Sequence, residues 1–191
     1  MPDCKNLFEN LFKKTCSYKN ASVIVQAAPW EVTSSYGGGS SLGPQNIVRA
    51  SSQLDFFNFT TKSEPDNFIY MHKIDKNILS LNNKLQKNAQ KIMQACESAG
   101  DKQIDSVLKD LQQKINQESD NLNNTIYKNT IKVLKDKKIP ALLGGDHSVS
   151  FGAIKACLAK HKNLSILHID AHADLRKAYQ GFKHSHASIM Y

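Results

Sequence analysis

At 191 residues, 40% of them hydrophobic, the chain is long enough to bury a core and too apolar to be disordered throughout. Its net charge of +8 comes mostly from lysines scattered among Asn and Gln rather than gathered in one block, which argues against a nucleic-acid surface. The N-terminal stretch shows no long apolar run, so neither a secretory signal nor a membrane span is expected; the widely spaced Cys4, Cys16, Cys96 and Cys157 read as free thiols of a cytoplasmic protein.

In chain order, residues 22–28 (SVIVQAA) form a β-branched apolar run closed by Pro29, as expected of a buried strand. The Gly/Ser-rich segment 34–41 could be a linker or a loop whose backbone must approach something closely. It is no phosphate loop, because no Gly-Lys-Ser/Thr follows. Pro44 then opens a short helix over 45–52. Ile78, Leu81, Leu85, Ala89, Ile92 and Cys96 recur every three or four residues, predicting an amphipathic helix ended by Gly100. Further periodic stretches run through Ile104, Leu108, Leu111 and Ile115, then Leu122, Ile126, Val133 and Leu134. A helical hairpin over 75–137 follows, with core packing favoured over a coiled-coil partner.

Two strand and ligand pairs come next. Residues 139–143 (IPALL) open into Gly144-Gly145-Asp146-His147-Ser148, followed by a helix over 149–159; residues 164–169 (LSILHI) open into Asp170-Ala171-His172-Ala173-Asp174. A helix between strands predicts a parallel α/β sheet, in which ligands bind outside the carboxyl ends of the strands. Along an extended segment, side chains at i, i+2 and i+4 share a face, so Asp170, His172 and Asp174 could converge and meet His147. Carboxylate and imidazole without thiolate suit manganese or iron better than a structural zinc site. The two glycines allow a tight path at the strand end, and Asp146 could stand behind the metal ligands and fix an imidazole tautomer.

The segments GGDHS at 144–148, IDAHADLR at 169–176 and SHASIM at 185–190 resemble motifs of the ureohydrolase family, which includes arginase, agmatinase and formiminoglutamase. Residues 29–36 (PWEVTSSY) and Leu42-Gly43-Pro44 are similar to the agmatinase-like branch, so the resemblance covers most of the chain outside the Asn/Lys-rich helices. It implies a single three-layer α/β/α domain over 1–191 with a mainly parallel sheet, and hydrolysis of a guanidinium C–N bond through a hydroxide bridging two manganese ions. By the same resemblance, His147 and Asp174 hold one ion, His172 the other, Asp170 bridges both, and His186 is the catalytic proton shuttle. A guanidinium carbon shares its charge with three nitrogens and is a poor electrophile, so the attacking water must be activated, the task of a binuclear site. The near-neutral pKa of imidazole suits protonation of the departing amine.

The segment Tyr179-Gln180-Gly181 before Ser185 is more like agmatinases than arginases and favours agmatine, giving putrescine and urea; guanidinobutyrate, formiminoglutamate and arginine stay open. The resemblance also implies a cytoplasmic homo-oligomer acting on a small guanidino substrate, with neither nucleic acid nor membrane as partner. The family's Ser-x-Asp-x-Asp-x-x-Asp-Pro motif is missing, leaving four of its metal ligands, and the strands ending at Gly144 and Asp170 would be separated by C-terminal strands beyond Tyr191. The expectation is a C-terminally incomplete domain, inactive and weakly metal-binding alone; the alternative is a non-catalytic remnant that binds metal or joins a complete subunit.

Overall fold

The computed structural model describes residues 16–64, 69–99 and 105–191. Strand β1 (Val23–Ala28) leads through a loop and a short 3-10 turn into α1 (Gly43–Ser51) and strand β2 (Ile69–Met71). Helices α2 (Lys76–Ala99) and α3 (Ser106–Lys135) precede strand β3 (Ile139–Gly144) and α4 (Ser150–Lys160). The strands form a parallel sheet in the order β2-β1-β3, with β1 paired to β3 from Val23 opposite Ile139 to Ala28 opposite Gly144.

Strand alternation makes this sheet the middle of three layers. Val25, Ala27, Ala141 and Leu143 turn to one side and pack with Val48 of α1. Ala28 and Leu142 face the other side, where Leu85, Ala89 and Ile92 of α2 meet Ile115, Leu122 and Ile126 of α3. Ile24 packs beside them against Val133. Ile115 and Ile126 are at most 1% exposed, so each stabilises the fold by about 2–3 kcal/mol through burial. The apolar spacing on α2 and α3 thus serves core packing, not an external coiled coil. Both periodic stretches expected after residue 104 lie on the one helix α3, whose start is capped by the Asp105 carboxylate accepting from the Leu108 N–H at 2.8 Å. Where α3 meets α4, Gly152 donates its N–H to Asn123 Oδ1 at 2.9 Å, and a Cβ there would lie 2.2 Å from the Asn123 carbonyl oxygen. The expected helix stop at Gly100, together with Ile104 and Cys4, lies outside the described residues; Cys16, Cys96 and Cys157 are free thiols.

The Gly/Ser segment is an anchored loop. Gly37, Gly38 and Gly39 have φ of 77°, 78° and 97°, which L side chains adopt only under strain. The loop closes on buried Glu31, which accepts from Ser40 Oγ at 2.9 Å, Ser41 Oγ at 2.9 Å and the Ser41 N–H at 3.2 Å. Burial acts to raise the Glu31 carboxyl, but these bonds and one from the Gly39 N–H hold it below its ordinary range.

The strand expected over 164–169 does not form. The segment carries no regular structure, and Ile166, Leu167 and Ile169 are 44%, 86% and 87% exposed. Apolar content supplies the propensity for a strand, but a ladder needs a neighbour, and no described strand pairs with these residues. One edge of β3 likewise has no described partner.

Candidate metal centre

The site begins where β3 leaves the sheet. Gly145 donates its N–H to Ala28 O at 3.1 Å and Asp146 to Trp30 O at 2.8 Å, so the chain stays clamped to the end of β1 for two residues beyond the strand. A Cβ at Gly145 would lie 1.7 Å from the Trp30 carbonyl oxygen; only glycine permits this approach. The Asp146 carboxylate then turns back to cap the 3-10 turn His147–Val149, accepting from the Ser148 N–H at 3.0 Å and from the Ser148 hydroxyl. Enclosure pushes this carboxyl up to about 6 despite those donors. Asp146 therefore orients the turn that carries His147, and its carboxylate accepts from Ser148 and Thr33 rather than from an imidazole.

His147 Nδ1 shares a hydrogen bond of 2.6 Å with Asp174 Oδ2 and lies 3.8 Å from Asp170 Oδ2. Asp174, at the far end of its loop, reaches back because its backbone adopts φ 49°, a conformation that Asp tolerates better than most residues. Asp170 is bent rather than extended: its Oδ1 accepts the His172 N–H at 3.0 Å, an Asx turn that holds the carboxyl below its usual range. That turn breaks the alternation expected along 170–174 and swings the His172 side chain outward, where it is 83% exposed.

His168, at the end of the apolar run 164–169, instead lies beside Asp170. Its Nε2 lies 3.5 Å from Asp170 Oδ2, and its ring is 5.0 Å from that of His147. One donor atom from each of His147, His168, Asp170 and Asp174 falls within 4.8 Å of the others. Two imidazole nitrogens and two carboxylate oxygens fit a hard or borderline divalent ion. The signal for it was proximity in sequence: His168 is two residues before Asp170.

An open cleft of about 590 Å³ lies beside this cluster, lined by Asp174, His172, Arg176, Tyr179 and His186 among others. His186 Nδ1 donates to the Thr33 carbonyl at 3.0 Å, which leaves Nε2 as the basic nitrogen of the neutral ring. Its ring also meets Tyr179 edge to face at 5.9 Å, and the Arg176 guanidinium lies 4.6 Å over the Tyr179 ring. The loop leading to His186 is gripped by a polar ladder on α3. Gln112 Nε2 donates to Gln180 O at 2.9 Å, Asn116 Nδ2 donates to Gly181 O at 3.0 Å, and Asn116 Oδ1 accepts from the Lys183 N–H at 2.9 Å. Asp120 pairs with His184 at 2.7 Å and with Lys183 at 3.2 Å.

The model of the arginase family matches residues 21–191. The chain belongs to the arginase family. Among relatives, this arginase-family chain is 32% identical over 162 residues to an uncharacterized 32.2 kDa protein of Methanothermus fervidus, covering 85% of this chain and 43% of that protein. It is 25% identical over 175 residues to the N(1)-aminopropylagmatine ureohydrolase of Synechocystis sp., covering 91% and 47%. The agmatinase of Halalkalibacterium halodurans is 47% identical over 57 residues, covering 30% of this chain and 20% of that protein. In fold it is similar to the agmatine ureohydrolase of Thermoplasma volcanium, with a TM-score of 0.60 at 22% identity over 92% of this chain and 46% of that one. The chain spans about half the length of the curated relatives that it matches along most of its own length.

Proposed function

We propose that this chain is part of a ureohydrolase domain whose chemistry is metal-dependent hydrolysis of a guanidinium C–N bond, with agmatine as substrate and putrescine and urea as products. The observation that carries the reading is the convergence of His147, Asp170 and Asp174, two loops apart in sequence, beside a cleft that also holds His186. Relatives named agmatinase and aminopropylagmatine ureohydrolase support the substrate class. His147, Asp170 and Asp174 would hold manganese, with His172, whose imidazole lines the cleft, as a ligand of a second ion. Manganese bound there supplies Lewis-acid activation of the water that attacks the guanidinium carbon.

The remaining work falls to this chain's side chains. The bond from the guanidinium carbon to the substituted nitrogen breaks as that nitrogen takes up a proton and leaves as the amine. His186, fixed by the Thr33 carbonyl and Tyr179, is placed to take up at Nε2 a proton given up by the attacking water and to pass it to the departing nitrogen. A cytoplasmic homo-oligomer belongs to the same reading; no described helix is long and apolar enough to cross a membrane.

Purified chain supplied with manganese and agmatine is expected to bind the metal weakly and to release urea only at background, because among the described residues one donor cluster forms and the exposed His172 lies outside it. Turnover near that of a complete agmatinase would overturn the incomplete-centre reading, and failure to bind manganese would overturn the metal reading. The exposed segment 164–169 favours a second reading, a non-catalytic fragment that joins a complete subunit. Activity restored by co-expression with a complete relative carrying a disabled centre would distinguish it from an independent enzyme.

A further inference from the structure

We propose that the cleft between α3 and the segment following β2 is a binding site for a small organic acid, which lays its hydrocarbon body on an apolar floor and turns its carboxylate to Lys73 and Lys132. This cleft shares no lining residue with the metal centre or the space beside it, and it stands independently of the function proposed above.

The first observation is an amide where the sheet is otherwise apolar. In the run VIVQAA of β1, Ile24, Gln26 and Ala28 turn toward α2 and α3, and Gln26 lies opposite Leu142 of β3. The Gln26 side chain has no hydrogen-bond partner among the described residues. It lines two adjoining spaces, a cleft of about 240 Å³ and a smaller chamber of about 70 Å³, which also share His72 and Val133. Thr130 is 5% exposed and faces the smaller chamber, and its hydroxyl also lacks a partner among the described residues. Polar groups turned inward require a bond, and a polar atom of a ligand seated in the cleft would supply one to Gln26.

The second observation is how the wall divides. Leu122, Ile126 and Val133 of α3 are buried and, with Ile78 of α2, form an apolar floor. His72, Lys73, Thr125, Asn129 and Lys132 are exposed and stand at the mouth. A volume of about 240 Å³ falls below the roughly 300–1,000 Å³ of pockets for drug-sized ligands, which suits a guest of about six carbons with one polar end.

The third is charge. Lys73 has no ion-pair partner among the described residues. Lys132 shares Asp136 at 2.8 Å, and the Lys138 Nζ lies 5.6 Å from the centre of the Tyr18 ring, which also lines the cleft. Against these three ammonium groups stand Asp136 and Asp75, and Asp75 already accepts the Asn77 N–H at 2.8 Å where α2 begins. The balance favours an anion. Burial, and after it the charge of Lys132, hold the His72 imidazole below its ordinary range, so the lysines are the cations at neutral pH.

Hexanoate titrated into the purified chain tests the site, followed by nuclear magnetic resonance of the Gln26 and Asn129 side-chain amides and the His72 ring. Hexylamine and hexanol are probes of the same length and different charge. Hexanoate is expected to shift all three groups saturably, with a dissociation constant of about a millimolar, and to raise the titration midpoint of His72, because a nearby carboxylate favours the imidazolium. Hexylamine and hexanol are expected to bind at least about fivefold more weakly, and the double variant Lys73→Gln/Lys132→Gln to lose about fivefold in hexanoate affinity. Lys160→Gln, at the end of α4 and outside the cleft, should leave that affinity unchanged.

No saturable shift at these three groups, equal binding of hexylamine or hexanol, or undiminished affinity in the double variant would each overturn the proposal. Circular dichroism checks that the variants fold. Should the double variant fail to fold, Lys73→Gln alone decides, since Lys73 holds no ion pair among the described residues: weaker hexanoate binding upholds the site and unchanged binding overturns it.

Discussion

Substitution of Gly145 by alanine tests the idea that a close backbone approach, together with the Asp146 cap, aims His147. The added Cβ would sit 1.7 Å from the Trp30 carbonyl oxygen, 2.5 Å from its carbonyl carbon and 2.7 Å from its nitrogen. All three are backbone atoms, so no rotamer change relieves the clash. Moving the oxygen from 1.7 Å to the 3.0 Å below which real Cβ contacts essentially never fall takes about 1.3 Å of separation at the end of β1 and β3.

That displacement would break the bonds from Gly145 to Ala28 and from Asp146 to Trp30, each contributing about 1 kcal/mol net. Overpacking adds about 1–3 kcal/mol, so the expected loss is about 3–5 kcal/mol, a large fraction of a typical total of about 5–15 kcal/mol. Urea unfolding followed by circular dichroism is the assay, with a lower midpoint and an unchanged slope as the expected signature. Manganese affinity should fall in parallel, because His147 is carried by the displaced turn. A loss below about 1 kcal/mol with manganese affinity intact would refute the claim that this contact sets the position of His147.

Glu31→Gln removes the carboxylate that anchors residues 34–41. Because the folded Glu31 carboxyl is held below its unfolded value of 4.5, its contribution to stability is present above pH 4.5 and lost as pH falls through the lower folded value. The variant should therefore be less stable than wild type at pH 7, by about 1–3 kcal/mol, with the difference shrinking toward pH 3; urea midpoints across that range would show a constant difference if the anchor is not ionic. Asn116→Ala deletes two bonds to the backbone of the loop before His186 and is expected to cost about 1–2 kcal/mol. Hydrogen exchange at the Lys183 amide should accelerate in that variant, and unchanged protection would remove the ladder from the account of how His186 is held.

Much of the architecture was legible because its signals are local. Helical periodicity placed α2 and α3, and short apolar runs placed β1 and β3, each within a few residues, while Pro44 marked the start of α1. The glycines before Asp146 and His147 announced a close backbone path, which Gly145 then makes against Trp30. The candidate site was legible in part. The motifs grouped His147 with Asp170 and Asp174, and the structure does bring them together, but from the end of β3 and an irregular loop rather than from two strand ends. The outward turn of His172 was not legible, because it depends on a single side-chain bond from Asp170 that competes with extended backbone.

The polar ladder on α3 was equally hidden. Gln112, Asn116 and Asp120 lie four residues apart on a face that reads as solvated, and their partners are between 63 and 68 residues away. Nothing in a helical pattern distinguishes a polar stripe facing water from one gripping a loop.

What the sequence by itself determined was the inventory: parallel strands, helices with one apolar face, the motif residues of a ureohydrolase, and a set of imidazoles and carboxylates suited to a divalent metal. Only the tertiary structure decided which imidazole joins which carboxylate, which glycine is forced by contact, and that residues 164–169 lie exposed without a ladder. The physical reason is that propensity and periodicity act between near neighbours along the chain. A metal pocket or a sheet partner is instead chosen by groups tens of residues apart competing for the same space.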